Sequence, residues 1–473
     1  MTIAIVGGGI GGLSLALALH QRGLACQVYE TVPEVKEIGV GITLLPHAVR
    51  ELAGLGLQAE LEAAGIENLE SVFFNRYGQY IYREPRGRHA GYALPELGIH
   101  RGKLHRILFD AVMSRLGAAH VNTNHRCVQV TQSDAGATLH FVETSTGAQL
   151  APVHAEVVIA CDGINSALRK QFYPDEKVAF AGINTWRGVT RHRPILSGKS
   201  YIRIGSINTG KMVIYPIVDN IDAHGMQLVN WVAETQRGGD TMNYWNRSGS
   251  GADFLDIFKD WVFDWLDVPA LINCANSILE YPMVDKDPVA QLTFCRVTLL
   301  GDAAHPMYPR GSNGSAQAII DGRVLAAQLA LAQQNGCDIC SGLLAYEALR
   351  RPPTSKIVQT NRSTPPDFII MRADELSQGK PFRHIDDLIT QAELRAISEN
   401  YAQIAGFALE AVEPETGMAS QKLDWPPLIW RKPPGTCGLE NTRVPPTYFP
   451  IQYSNARIAS CARTSLLPNF RKP

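Results

Sequence analysis

Five glycines in six residues, Gly7-Gly8-Gly9-Ile10-Gly11-Gly12, follow directly on the apolar run Thr2-Ile3-Ala4-Ile5-Val6. No other stretch restricts the fold as tightly. The run reads as a buried parallel strand, and glycines at its end demand a sharp exit. Gly7, Gly9 and Gly12 fit the pattern G-x-G-x-x-G, with Gly11 inside the same turn. The first glycine permits the tight turn, the second lets the backbone approach a pyrophosphate, and the third lets helix and strand pack closely. Residues 11–22 then read as a helix, with Leu13, Leu15, Leu17, Ala18 and Leu19, closed by Gly23. Its N-terminus would offer unpaired N–H groups to phosphates. A second strand follows at Cys26–Glu30 and ends on an acid, 30 − 12 = 18 residues past the last glycine. An acid at that spacing accepts from a ribose hydroxyl and favours FAD or NAD over a 2′-phosphorylated nucleotide.

Two later segments extend the site. In Leu299-Leu300-Gly301-Asp302-Ala303-Ala304-His305-Pro306 a strand ends and presents Asp302; Pro309-Arg310-Gly311-Ser312-Asn313-Gly314 then leads into a helix near Ser315. A carboxylate at a strand end can bind polyol hydroxyls, and a helix N-terminus can stabilise charge on a ring. Together they suit a ribityl chain and the N1–O2 edge of a flavin. The segment Cys161-Asp162-Gly163 reads as a turn before a helix that carries Ser166 and Arg169 about one turn apart. Alone it would be an ordinary turn.

At 473 residues the chain exceeds what one core usually supports. The expected organisation is residues 1–177 as the first part of a nucleotide-binding domain, 178–282 as a β-sheet substrate domain, 283–412 as the returning part with C-terminal helices, and 413–473 as an irregular tail. Helices are expected over 46–64, 101–116, 252–267, 315–334, 341–361 (bent at Pro352-Pro353) and 384–412, with a hairpin over 68–83. The formal charge of −1, from 44 basic and 45 acidic residues, gives no field to draw nucleic acid or an anionic membrane. Nine scattered cysteines make no disulfide framework; Cys337 and Cys340 form a lone C-x-x-C read as a loop. No histidine pair has H-E-x-x-H spacing, and no metal site is expected. No apolar run reaches the ~18 residues of a membrane span, and Ile3–Val6 already belongs to the fold, so a cytoplasmic protein is expected.

The three segments, in this order, resemble the fingerprints of the class A flavoprotein monooxygenases, the para-hydroxybenzoate and salicylate hydroxylase group. Gly39-Val40-Gly41-Ile42, Ile99-His100-Arg101-Gly102, Trp186-Arg187-Gly188-Val189, Asn230-Trp231-Val232 and Tyr281-Pro282-Met283-Val284-Asp285 resemble the phenazine-carboxylate monooxygenase subgroup. The likeness runs from about residue 1 to about residue 410. It implies an α/β fold: a Rossmann-like, glutathione-reductase-like FAD-binding domain with an inserted, mainly β substrate domain and C-terminal helices. It implies FAD held by Gly7, Gly9, Gly11, Gly12, Glu30, Gly41, Arg101, Asp162 and Asp302, with the backbone of Cys127 at the adenine. Pro309, Gly311 and Asn313 would line the isoalloxazine. Cys161 departs from the small Gly or Ala usual before Asp-Gly.

The resemblance further implies NADH or NADPH as a transient cosubstrate, bound without a second nucleotide motif, and hydroxylation of a small aromatic with O2. Tyr308 and Pro309 are the expected catalytic-centre residues. Arg187, Tyr215, Trp231 and His305 are the expected substrate contacts, an aromatic wall with a cation that would suit a carboxylate. An epoxidase, a halogenase or a reductase on the same fold, and a scaffold without turnover, are the alternatives. A monomer or homodimer without nucleic-acid or membrane partners is expected.

Overall fold

A computed structural model describes residues 2–34, 39–236 and 247–409, so the expected tail at 413–473 lies outside the described residues. The strand Ile3–Val6 lies between Cys26–Tyr29 and Val157–Ala160, all parallel. Val297–Leu299 extends the sheet beyond Val157–Ala160, and Val121–Asn122 beyond Cys26–Tyr29. A short antiparallel strand, Thr293–Phe294, completes six. Ile3–Val6 and Val157–Ala160 are buried throughout, which explains their unbroken apolar sequence. The helices Ile10–Gln21 and Gly314–Gln334 approach closely: a Cβ on Gly322 would sit 3.1 Å from the backbone nitrogen of Leu15. An antiparallel three-stranded sheet, His125–Ser133, Gly136–Glu143 and Val153–Ala155, adds Val130, Leu139 and Phe141 to the same core.

The second sheet has eight strands. Its centre is Ala179–His192, Gln227–Gln236, Lys211–Val218 and Ser200–Ile204, antiparallel in that order. The expected boundaries at 177 and 282 do not describe it. The hairpin Glu70–Phe74/Tyr80–Pro85, from the segment given to the nucleotide-binding half, joins its edge by parallel pairing with Ser200–Ile204. Strand partners are chosen by exposed backbone edges, which sequence order does not reveal.

The expected helix over 252–267 is also corrected. It is a short helix, Leu255–Phe258, then a two-residue hairpin, Val262–Phe263/Leu266–Asp267, and a helix Val268–Asn273. The aromatic run Trp261-Val262-Phe263-Asp264-Trp265 prefers extended backbone to helix. Past the Asp302 and Asn313 segments, the helix Ile339–Ser363 continues through Pro352 and Pro353. The expected helix over 384–412 is shorter, Gln391–Ala405, with a Thr390/Glu393 capping box at its start and Gly406 in the left-handed region at its end.

Candidate active site

The glycine turn is held by overlaps that only glycine avoids. Gly7 has φ 106°, and a Cβ there would overlap the carbonyl oxygen of Cys161; one on Gly12 would overlap the carbonyl oxygen of Gly7. Gly9 is different, because a Cβ there would meet nothing within 4 Å. Open space therefore faces the middle glycine, at the start of a helix with no side-chain cap and no acid in its first turn. Glu30 accepts from the Gly8 N–H at 2.6 Å and from the Val32 N–H at 2.8 Å, which fixes its carboxylate over the turn. His105, which sequence reasoning missed, meets the Gly8 carbonyl at 2.6 Å. Cys127 is buried, and burial pushes its thiol up to about 12. Next to it a β-bulge drops the exposed Val128 out of the ladder with Gly136–Glu143, leaving irregular backbone at this edge.

The two acidic turns are tied to each other and to the glycines. A Cβ on Gly11 would lie 3.1 Å from Leu300 and 3.3 Å from Ala318, so the first turn and the Asp302 turn are neighbours. Arg169 is fully buried and donates to the carbonyls of Ala303 at 3.0 Å and Ala304 at 2.7 Å, joining the Asp162 helix to the Asp302 turn. Asp162 accepts from the Ala167 N–H at 2.9 Å through one oxygen. Its other oxygen is buried without a partner among the described residues. Loss of hydration among the surrounding groups raises both carboxyls; for Asp302, His305 and Arg101 oppose that rise. Asp302 and Arg101 both keep solvent-accessible surface.

One face of the second sheet turns towards the segments that carry Gly41 and Ser312, and strand parity selects its residues. Tyr215 pairs in register with Asn230, and Asn230 with Val189, so these three share a face. Tyr215 stacks on Tyr201 at 5.0 Å, and the Tyr201 hydroxyl lies 3.2 Å from that of Ser312. Asn230 accepts from the Gly41 N–H at 2.7 Å, leaving its buried NH2 group without a partner among the described residues. Arg187 lies over the Tyr281 ring at 5.3 Å, with its Nε buried and similarly unpartnered.

Residues 1–242 and 283–361 match the FAD binding domain family. The chain belongs to that family. Phenazine 1,6-dicarboxylic acid hydroxylase PhzS of Lysobacter antibioticus is 40% identical over 365 residues, covering 76% of this chain and 89% of that protein. Salicylate hydroxylase of Pseudomonas putida is 28% identical over 389 residues, covering 77% and 85%. Klebsiella pneumoniae HpxO, solved with FAD and uric acid, shares the fold at TM-score 0.66 and 23% identity over 87% of this chain and 97% of its own. This member of the family is a flavin-dependent monooxygenase with FAD as its cofactor.

The residues present fit FAD. Gly9 leaves room for a pyrophosphate, the helix after it is uncapped, and an orphaned carboxylate oxygen on Asp162 and the accessible carboxylate of Asp302 wait for donors. The helix Gly314–Gln334 also starts without a side-chain cap, and a Cβ on Gly314 would lie 3.9 Å from Asp302.

Several expected contacts of this FAD enzyme need correcting. Trp231 lies on the opposite face of the sheet from Tyr215; it is fully buried with Trp186 and Phe254, and its indole N–H donates to Thr190 at 3.0 Å. His305 is not on the cleft wall: its Nε2 lies 2.6 Å from the buried Asp321 carboxylate. Tyr308 packs with Ile183 and Met283, and its hydroxyl faces the Asp285 carboxylate and the Ala179 carbonyl. Burial and Asp285 push that phenol up to about 12, which leaves no acid–base role near neutrality. Gly311 is a glycine because the Tyr401 hydroxyl occupies the place of its Cβ. The Asn313 side chain is spent on His47, Gln317 and the Ala405 carbonyl. Pro309 is exposed at the head of its turn.

His47 was not legible as a site residue. It is buried, stacked on Phe407 at 5.5 Å, and burial lowers its pKa to about 4.

Proposed function

We propose that the protein uses NADH or NADPH and O2 to hydroxylate a small aromatic that carries a carboxylate. The observation that carries this reading is Arg187, a guanidinium on the cleft face whose Nε is buried and unpartnered while Tyr281 lies beneath it. A buried donor left without an acceptor costs about 1–3 kcal/mol, and a planar carboxylate would satisfy it. Tyr215 and Tyr201 supply an aromatic surface beside it. The Asn230 amide, pinned by Gly41, offers a second donor. A relative that acts on a phenazine dicarboxylic acid supports the same class of substrate.

FAD, held by these turns, would supply the redox chemistry: a two-electron oxidation of the nicotinamide coupled to cleavage of O2, one oxygen atom going to the ring and the other to water. The chain's own part is to hold and orient. Arg187 anchors the carboxylate, the tyrosine pair sets the ring plane, and the apolar layer of Val189, Val213 and Val232 keeps water from the reacting face. The reductant visits the same cleft. The reading also takes the protein as cytoplasmic and as a monomer or homodimer; among the described residues no helix is long and apolar enough to cross a membrane.

The test is coenzyme oxidation across a panel of aromatics, paired with product mass. Carboxylated bicyclic or tricyclic rings should accelerate oxidation and yield a product heavier by one oxygen. Equal rates with decarboxylated analogues would remove the role given to Arg187, and aromatic-independent rates throughout would remove the hydroxylase reading.

A further inference from the structure

We propose that Arg350, on the helix Ile339–Ser363 and outside every segment so far tied to FAD, is a positioning residue that locks the two flavin-side segments into one register. This rests on FAD occupying the cleft. Arg350 reaches in two directions. Its Nε donates to one Asp321 oxygen at 2.6 Å, and a terminal nitrogen donates to the Gln317 side-chain oxygen at 2.5 Å. All of these groups are buried.

The Asp321 arm controls the acidic turn. The second Asp321 oxygen accepts from the Gly301 N–H at 3.1 Å and faces His305 Nε2 at 2.6 Å, so it grips the turn on both sides of Asp302. Burial opposes ionisation of Asp321, yet His305 and Arg350 hold its carboxyl down to about 2. These two partners favour the charged form of Asp321.

The Gln317 arm controls the helix start. Arginine only donates, so Gln317 must present its oxygen to Arg350 and its NH2 to Asn313, 3.2 Å away. Asn313 must then present its oxygen, and its NH2 faces the Ala405 carbonyl at 3.4 Å. That oxygen also takes the Nε2–H of His47 at 3.1 Å, which leaves His47 as the tautomer with a bare Nδ1. One guanidinium thus sets the polarity of a chain ending at Asn313, the residue from which the uncapped helix Gly314–Gln334 begins. The free N–H groups of that helix stabilise negative charge on a reduced ring only if their position is fixed.

The two arms give separable readouts. Gln317→Leu breaks only the helix arm. Arg350→Lys keeps a charge beside Asp321, but its single nitrogen cannot occupy both of the positions from which the guanidinium Nε and terminal nitrogen reach Asp321 and Gln317. Both variants should bind FAD within about threefold of wild type, since Asp321 still holds the Asp302 turn. Both should shift the midpoint potential of the bound flavin to more negative values. Arg350→Met breaks both arms and should add a loss of FAD affinity of roughly tenfold, the effect of one charge-assisted hydrogen bond. The measurements are titration of apoprotein with FAD by fluorescence and dye-coupled reduction of the holoprotein. If Arg350→Met fails to fold, Gln317→Leu and Arg350→Lys decide the matter alone. Wild-type potentials in both would overturn the proposal. Failure of the wild-type protein to bind FAD would instead remove the reading beneath it.

Discussion

The glycine cradle at residues 7–12 and the sheet wall built from residues 187–232 face one cleft but work by opposite means. In the cradle the functional groups are backbone N–H donors and empty space. A Cβ on Gly7 or Gly12 would overlap a carbonyl oxygen, whereas one on Gly9 would meet open space. In the wall the functional groups are side chains, and a strand sends alternate side chains to opposite faces. Arg187 and Trp186 are neighbours in sequence, yet one reaches Tyr281 in the cleft and the other stacks on Phe254 in the distal core. A site made of backbone tolerates almost no substitution at its glycines. A site made of alternating side chains can be retuned at one position without disturbing the next.

The largest expected effect tests the cradle. Gly12→Ala should yield protein without FAD and with a collapsed thermal midpoint, because helix and turn cannot separate to admit the methyl group. Gly9→Ala should fold with wild-type stability, to within about 0.5 kcal/mol, yet bind FAD roughly tenfold more weakly. Absorbance of bound flavin beside a melting curve separates the two; equal melting points would erase the contrast between packing and ligand glycines.

Next comes the distal face. Trp231→Ala should cost about 3–5 kcal/mol in denaturant unfolding, the price of a large core cavity, while KM for the aromatic stays put. A raised KM at unchanged stability would place the indole in the site after all.

His47 gives a smaller, pH-dependent effect. Its folded pKa, near 4, lies below the unfolded 6.5. The unfolded chain therefore binds more protons between those values, so stability is full above about pH 6.5 and is lost as pH falls towards 4. The loss is at most about 3 kcal/mol. Unfolding of His47→Asn across this range should show a flatter acid limb than wild type.

The smallest effect belongs to the wall. Arg187→Met should leave folding intact and raise KM for a carboxylated aromatic roughly tenfold, about 1.4 kcal/mol, with little change for an uncharged analogue. Equal KM changes for both substrates would count against carboxylate recognition.

Legibility followed the same division. The turn at Gly7–Gly12, the acid at Glu30 and the Asp302 turn were readable because each is a local requirement: a dihedral, a spacing, a strand end. The choice of Trp231 failed for lack of register, since one residue of shift exchanges the faces. Asn230, its neighbour, is the residue that reaches Gly41. The choice of His305 and Tyr308 failed because proximity to the flavin loop in sequence does not say which way a side chain turns. His305 turns to Asp321, and Tyr308 turns to Asp285.

By itself the sequence determined the nucleotide-binding half, the cofactor class and the order of the three cofactor segments, because these rest on backbone geometry that only glycine, or a short acid at a strand end, can satisfy. The tertiary structure alone decided the rest. The hairpin Glu70–Pro85 joined a sheet it does not adjoin in sequence, Arg169 stapled two distant turns, and Arg350 joined the Asp302 turn to the start of the flavin-side helix. Such links depend on which buried donors find acceptors across the folded core, and partners 29 to 135 residues apart carry no local signature.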